Sequence, residues 1–310
     1  MTEGGQALPL ETEGVRSGFV ALVGRPNSGK STLANALVGT KVAIVSDKPQ
    51  TTRHRLRAIV DREDAQVVLV DTPGLHKPQD ALGEELNRSA LLGLADVDVA
   101  CLLVDAVQPV GRGDAWVARH VEATRASKVL VVTKTDLAAP GQAEERLAQA
   151  RGLADFTAEV AVSALTGDGL EPLMESLCAL LPQGPRYFPR DMPTDQPLEV
   201  MLAEFIREKV LIHTREEVPH AVGVAIEDME WHEGSATTVV RAVIFVERES
   251  QKGIVVGAGG AMVKRIGVEA RRDLERILEG DVHLDLRVKL KKDWRRDATQ
   301  IRRFGYGEGL

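Results

Sequence analysis

Gly24-Arg25-Pro26-Asn27-Ser28-Gly29-Lys30-Ser31 fits the phosphate-loop pattern G-x-x-x-x-G-K-S/T at every fixed position. An apolar run, Gly18 to Val23, leads in, and apolar residues at helical spacing, Leu33, Ala36 and Leu37, lead out. Strand, loop and helix therefore follow in the order that makes a nucleotide triphosphate site. Backbone N–H groups of the glycine-rich turn and the positive end of the helix starting near Gly29 form a concave anion site. Lys30 adds a positive charge toward the β- and γ-phosphates, and the Ser31 hydroxyl can ligate magnesium.

Around this stretch the 310-residue chain is long enough for two domains with buried cores. It is 44% hydrophobic and 27% charged, with no apolar run near the roughly 20 residues that span a bilayer. The N-terminus carries Glu3, Glu11 and Glu13 and no apolar segment, unlike a signal peptide, so a cytoplasmic protein is expected. Cys101 and Cys178 lack metal-ligand spacing and read as buried thiols, and the seven histidines form no metal-binding cluster. The net charge of −7 argues against promiscuous nucleic-acid binding. A basic stripe from Arg287 to Arg303, interrupted by Asp293 and Asp297, is compatible with selective binding of a polyanion.

Residues 1–17 read as a mobile tail. Beyond the first helix, a polar connection from Thr40 to Arg53 is long enough to be functional. The runs 56–60 and 67–70 read as a β-hairpin that delivers Asp71-Thr72-Pro73-Gly74 at a strand's carboxyl end. Strands at 97–104, 128–132 and 159–162 then alternate with helices at 114–124, 141–153 and 169–181. This alternation predicts a doubly wound, mostly parallel α/β domain over 18–181. Five prolines in 182–197 mark a semi-rigid linker. The remainder, 198–310, reads as αββααβ: an amphipathic helix 198–213, strands 220–226 and 237–246 joined by a reversal around Glu233-Gly234, a helix 250–256, the loop Gly257-Ala258-Gly259-Gly260, a helix through Leu278 and a strand 282–291.

Asp71-Thr72-Pro73-Gly74 supplies a carboxylate for the magnesium shell and a glycine N–H for the γ-phosphate. Thr133-Lys134-Thr135-Asp136 specifies the base, because the Asp136 carboxylate can accept from the N1–H and exocyclic amine of guanine and adenine lacks that donor pair. Lys134 can lay its stem along the base, and the backbone of Ser163-Ala164 can serve the guanine carbonyl. Thr51 and Thr52 are both candidates for the second magnesium-liganding hydroxyl. Leu75, where some GTPases place a water-orienting Gln, cannot polarise water, so unaided hydrolysis should be on the order of 10⁻⁴ to 10⁻³ s⁻¹ or below. The residues expected to carry catalysis are Lys30, Asn27, Thr51, Thr52 and Gly74, with the Asn27 carbonyl a candidate potassium ligand between the phosphates.

With these motifs, with Gln50-Thr51-Thr52-Arg53-His54, with the segment Asp71 to His76 and with Gln251 to Gly260, the chain resembles the translation-factor-related GTPases, specifically the Era family of P-loop GTPases with a C-terminal KH domain. The resemblance covers nearly the whole chain. It implies a type II KH domain, GTP or GDP with Mg2+ as cofactors, binding near the 3′ end of small-subunit (16S) ribosomal RNA, and assistance to 30S assembly by a monomer. In the KH portion, Lys252, Gly253, Gly257, Ala258, Gly259, Gly260, Lys264 and Arg265 are the expected RNA contacts, because small residues let backbone N–H groups clamp the nucleic-acid chain. Aromatics are only 4% of the chain, so stacking should matter less than backbone clamping. Two positions depart from the family pattern: Thr133 replaces Asn, which should weaken guanine affinity, and Ala258 stands where Lys is common. An RNA-binding chaperone with a structural nucleotide site is the alternative. A transfer-RNA-modifying GTPase would need a C-terminal cysteine motif that this tail lacks. Contact of the basic tail with anionic lipid is left open.

Overall fold

The computed structural model describes residues 14–48, 50–75, 78, 80–231, 237–304 and 306. Most of the expected tail 1–17, the reversal at Glu233-Gly234, and His76 lie outside the described residues.

The first unit is a six-stranded sheet in the order β2-β3-β1-β4-β5-β6. Its strands are β1 (Arg16–Gly24), β2 (Leu56–Asp61), β3 (Ala65–Asp71), β4 (Val99–Asp105), β5 (Ser127–Thr133) and β6 (Ala158–Ala161). Within this sheet only the β2–β3 pairing is antiparallel. The helices α1 (Lys30–Val38), α2 (Ala81–Ala95), α3 (Arg112–Glu122), α4 (Gln142–Ala150) and α5 (Leu170–Leu180) connect them. The central strands read as unbroken apolar runs because both faces are covered. Side chains alternate between faces, so Val20 and Leu22 of β1 join Leu33 of α1 and Leu173 and Leu177 of α5. Ala21 and Val23 turn the other way, to Ala90 and Leu94 of α2 and Val117 and Val121 of α3. Each fully buried Val or Leu contributes roughly 1.5–3 kcal/mol. Cys101 lies in the first of these layers, where burial pushes its thiol up to about 12.

β1 begins at Arg16, ahead of the Gly18 expected, because Arg16 pairs with Ala65. Helix α2 is an addition to the expected elements: its Leu82, Leu86, Ala90 and Leu94 recur at four-residue spacing after the Asp80 cap, which accepts from Gly83 N at 2.8 Å.

The second unit is a three-stranded sheet, β7 (Gly223–Trp231), β8 (Thr237–Val246) and β9 (Asp281–Leu290), with β7–β8 antiparallel and β8–β9 parallel. Against one face pack α6 (Leu198–His213), α8 (Glu249–Val256) and α9 (Ala261–Leu278) through Phe205, Ile206, Val210, Val255, Ile266, Ala270 and Leu274. The order is αββααβ with two additions. His220 and Ala221, expected to open a strand, instead end the short helix α7 (Val218–Ala221) around Pro219, and α10 (Ala298–Arg303) follows the last strand.

Two connections carry long-range contacts. The proline-rich segment is stitched to the first sheet: Arg186 bonds the carbonyls of Arg62 and Glu63 and the Asp61 carboxylate, Gln66 Oε1 accepts from Tyr187 N and Phe188 N, and Ile59 N donates to Pro193 O. It covers the outer edge of β2. Likewise the basic C-terminal stripe is not an open tail. Arg287 pairs with Asp285, Lys289 with Glu227, and Arg295 with Glu247 and Asp80. Trp294, Ile301, Phe304 and Tyr306 are buried against Leu82 and Leu86 of α2, joining the two units.

Candidate nucleotide site and RNA-binding loop

The phosphate loop leaves β1 at Gly24 and enters α1 through Gly29, whose φ of 88° only glycine adopts without strain. Among the described residues no side chain caps α1, so its first N–H groups remain available to an anion. Lys30 is buried with Nζ on the carbonyls of Gly24 (3.3 Å) and Arg25 (3.0 Å). Burial lowers its pKa to about 8 against the opposing pull of Asp71. A cleft of about 240 Å³ is lined by Pro26, Asn27, Gly29, Lys30, Ser31, Thr51, Thr52, Gly74 and Lys134.

Three oxygens converge at its end. Ser31 Oγ donates to Asp71 Oδ2 at 2.6 Å and lies 2.8 Å from Thr52 Oγ1. Asp71 is fully buried, its Oδ1 has no partner among the described residues, and burial pushes its pKa up to about 6 although Lys30 opposes the shift. An orphaned carboxylate oxygen among hydroxyls is a hard-oxygen set that fits Mg2+. Thr51 points elsewhere: its hydroxyl donates to Lys48 O at 2.6 Å.

At Gly74 a Cβ would meet Pro26 Cα and N at 2.8 Å, so this turn rests directly on the phosphate loop. Thr72 and Leu75 do not reach the cleft. The Thr72 hydroxyl donates to Leu22 O, and Leu75 is 1% exposed within the α2–α3 layer. Pro73 is buried. The Arg25 side chain turns away from the phosphates to Asp114 at 3.1 Å, and the Ser28 side chain is buried. Asn27, in a left-handed conformation (φ 63°), donates through Nδ2 to Asp47 O at 2.8 Å, which leaves Oδ1 as an acceptor.

At the other end, Asp136 Oδ1 accepts from Ser163 Oγ at 2.6 Å, so Ser163 orients that carboxylate by its side chain. Thr135 N donates to Val162 O, tying the motif to the strand end before Ala164. Lys134 Nζ pairs with Asp105 at 2.7 Å. Thr133 Oγ1 donates to Ser28 O at 2.8 Å, with Val104 O at 3.3 Å, so the hydroxyl preserves a tether between base motif and phosphate loop.

In the second unit, Gly257 ends α8 with φ 72°, where a Cβ would meet Met262 Cβ at 2.7 Å and N at 2.8 Å. Ala258, Gly259 and Gly260 form a tight turn into α9, with Ala258 and Gly259 exposed. Lys264 and Arg265 are exposed on α9, and Arg265 is held by Glu269 at 3.2 Å. Lys252 is half-buried on α8, and Gly253 beside it has open space where a Cβ would sit, so no close approach requires glycine there.

Sequence reasoning missed Asp105 and Asp114, the partners of Lys134 and Arg25, and the exposed Ile254 on α8. Asp105 and Asp114 carry no motif signal. Ile254 could have been found as an apolar residue next to the G-x-x-G turn. It also missed the whole contact between loop 41–54 and the second unit. Ile44 packs into the second core, Lys41 Nζ lies 2.5 Å from Glu208, and Arg53 caps the carbonyls of Pro219, His220 and Val222.

A family model described as 50S ribosome-binding GTPase matches residues 19–134, and a KH domain model matches residues 217–295. GTPase Era of Carboxydothermus hydrogenoformans is 45% identical over 293 residues, 94% of this chain and 98% of the relative. GTPase Era of a Nocardioides species is 47% identical over 301 residues, covering 94% and 96%. Among solved structures, a point variant of Aquifex aeolicus Era bound to GDP·AlF4− superposes with a TM-score of 0.91 at 36% identity, covering 95% of this chain and all of that one. Era in complex with MgGDPNP and nucleotides 1506–1542 of 16S ribosomal RNA gives 0.90 at 37% identity, with the same coverage. A phosphate loop and a KH turn in this order, with 45–47% identity to curated GTPase Era relatives along nearly the full length, place the chain in the Era family of GTPases.

Proposed function

We propose that the chain is a GTP-hydrolysing switch that binds the 3′ region of small-subunit ribosomal RNA through its KH loop and assists 30S assembly in the cytoplasm as a monomer. The observation that carries this reading is one chain holding both sites in the arrangement of the relative crystallised with MgGDPNP and 16S ribosomal RNA nucleotides. Lys30 and the N–H groups at the start of α1 hold the phosphates, Asp136 reads guanine, and Gly74 brings its N–H to the γ-phosphate. Ser31 and Thr52 are the hydroxyls that would hold Mg2+, with Asp71 behind them. The ion, when bound, neutralises charge developing on the β- and γ-phosphate oxygens. Thr52 is preferred over Thr51 because its hydroxyl faces Ser31 while that of Thr51 is turned to Lys48 O.

Leu75, the residue after Gly74, lies in the core and orients no water. Unaided turnover is therefore slow, and Asn27 Oδ1, aimed by the bond from Nδ2 to Asp47, is the proposed potassium ligand that substitutes for an activating arginine. Equal hydrolysis rates in potassium and sodium chloride would remove that role. The central test is affinity for a 16S 3′-end fragment in the GTP-analogue and GDP states. Replacing Ala258 and Gly259 by Asp should abolish RNA binding with GTP binding intact, and unchanged RNA affinity sinks the assignment.

A further inference from the structure

Four successive residues of the connecting loop are each held, and by different units. Thr51 O accepts from Arg207 Nη2 of α6. The Thr52 hydroxyl faces Ser31. Arg53 is anchored on the carbonyls of Pro219, His220 and Val222, and His54 Nε2 lies 3.5 Å from Glu204 Oε1. The residue aimed into the nucleotide cleft is thus suspended between neighbours fastened to the KH unit.

Geometry gives this arrangement its force. A peptide unit is planar, so fixing the Thr51 carbonyl fixes the plane that carries the Thr52 nitrogen. Arg53, held by its guanidinium, restrains the chain on the other side. With the preceding peptide plane set and the following residue tethered, the β-branched Thr52 has its few staggered χ1 positions to aim its hydroxyl. Arg207 is itself immobilised: it is fully buried, and Glu204 takes its Nε at 2.7 Å and Nη2 at 2.6 Å. The adjacent Glu208 accepts from Val45 N at 2.9 Å, so one helix face grips the loop at two places.

We propose that Arg207, in the KH unit, is a positioning residue for the magnesium ligand Thr52, so that α6 sets the metal affinity of the nucleotide site. The inference rests on the reading of Thr52 as a metal ligand. Its consequence is directional: whatever shifts α6, RNA seated on the KH unit included, alters magnesium binding through the Thr51 carbonyl.

The test uses the full chain. Arg207→Met keeps the bulk and removes every donor. The magnesium concentration that half-saturates binding of a fluorescent non-hydrolysable GTP analogue should rise about 10- to 100-fold, the usual effect of losing a group that orients a metal ligand. Binding of fluorescent GDP in EDTA should stay at the wild-type level. In the nucleotide-free protein, trypsin should cut faster after Arg53 and Arg55, since the loop loses a tether. Arg207→Lys should restore part of the magnesium affinity, because an ammonium can still donate to the carbonyl. If Arg207→Met fails to fold, the Glu204→Gln/Arg207→Met pair keeps the pocket neutral and carries the same expectation. Thr52→Ala is the reference. A magnesium shift in Thr52→Ala but none in the Arg207 variants overturns the inference alone, whereas no shift in Thr52→Ala overturns the ligand reading and the inference with it.

Discussion

Replacing Arg53 by Met sets two large terms against each other. The guanidinium is 1% exposed, and burial, with Arg207 facing it, lowers its pKa from 12.5 to about 10. Keeping that charge inside therefore costs roughly 3 kcal/mol, which methionine relieves. Against this stand three charge-assisted bonds, to Val222 O at 2.6 Å, His220 O at 3.0 Å and Pro219 O at 3.2 Å. Two ring contacts add to them, Tyr306 at 5.3 Å and Trp294 at 5.7 Å from the guanidinium carbon. At about 1.5 kcal/mol per bond and about 1 per ring, the losses reach about 6.5 kcal/mol, and the carbonyls of Pro219, His220 and Val222 are left without this donor. The bonds win: Arg53→Met should destabilise the protein by about 3 kcal/mol. Urea unfolding of the nucleotide-free full chain, followed by tryptophan fluorescence, measures it, because Trp294 lies against the lost group. A variant as stable as the parent would mean that the buried charge is a net burden, as many buried ions are, and that the three bonds do not outweigh it.

Gly74→Ala should leave GDP affinity nearly unchanged and weaken binding of a non-hydrolysable GTP analogue by about tenfold or more, since its Cβ collides with Pro26 backbone where the γ-phosphate must be met; titration with fluorescent nucleotides separates the two. Thr133→Val deletes the hydroxyl that holds Ser28 O without opening a cavity, so GDP and GTP should both bind up to about tenfold more weakly, and equal affinity in variant and parent rejects the tether. Burial alone raises the Glu204 carboxyl, but Arg207 and His54 overcome it and hold it below its ordinary 4.5. A depressed carboxylate stabilises the fold above pH 4.5 and loses that contribution as pH falls below it, so Glu204→Gln should flatten the acid limb of a plot of Tm against pH.

What the sequence made legible was local or periodic. The phosphate loop, Asp71 to Gly74 and Thr133 to Asp136 are contiguous runs whose chemistry is written in adjacent residues, and β8 and α6 follow apolar spacing to the residue. Helix α2 escapes such a reading because its apolar positions face two different partners: Leu82 and Leu86 meet the C-terminal aromatics, while Ala90 and Leu94 meet the first core. The contacts of the linker and the basic stripe escape it for a related reason. Composition marks proline-rich and basic segments as exposed, but hydrogen bonds to Gln66 and acidic partners such as Glu247 are long-range facts that no window of sequence contains. Thr51 and Thr52 are indistinguishable in sequence, and a single pair of contacts, to Lys48 O and to Ser31, separates them.

The same contacts change what the second unit is for. A switch that communicated only through a flexible linker would need the two units free of each other, with nucleotide state felt as a change in mean orientation. Here the linker lies fastened along β2, and Leu82 and Leu86 of the helix after the sensing turn share a buried cluster with Trp294, Phe304 and Tyr306. The segments around Thr52 and Gly74 therefore have one side on the nucleotide cleft and the other on the KH unit. A movement of Thr52 or Gly74 toward a γ-phosphate strains packing that includes Ile44, Arg53 and Leu86, and in a close-packed interior such strain is relieved by a shift to another packing, not by gradual deformation. Coupling of this kind is reciprocal: if nucleotide biases the placement of α6 and α10, then RNA that favours one placement must bias nucleotide and metal affinity by the same free energy.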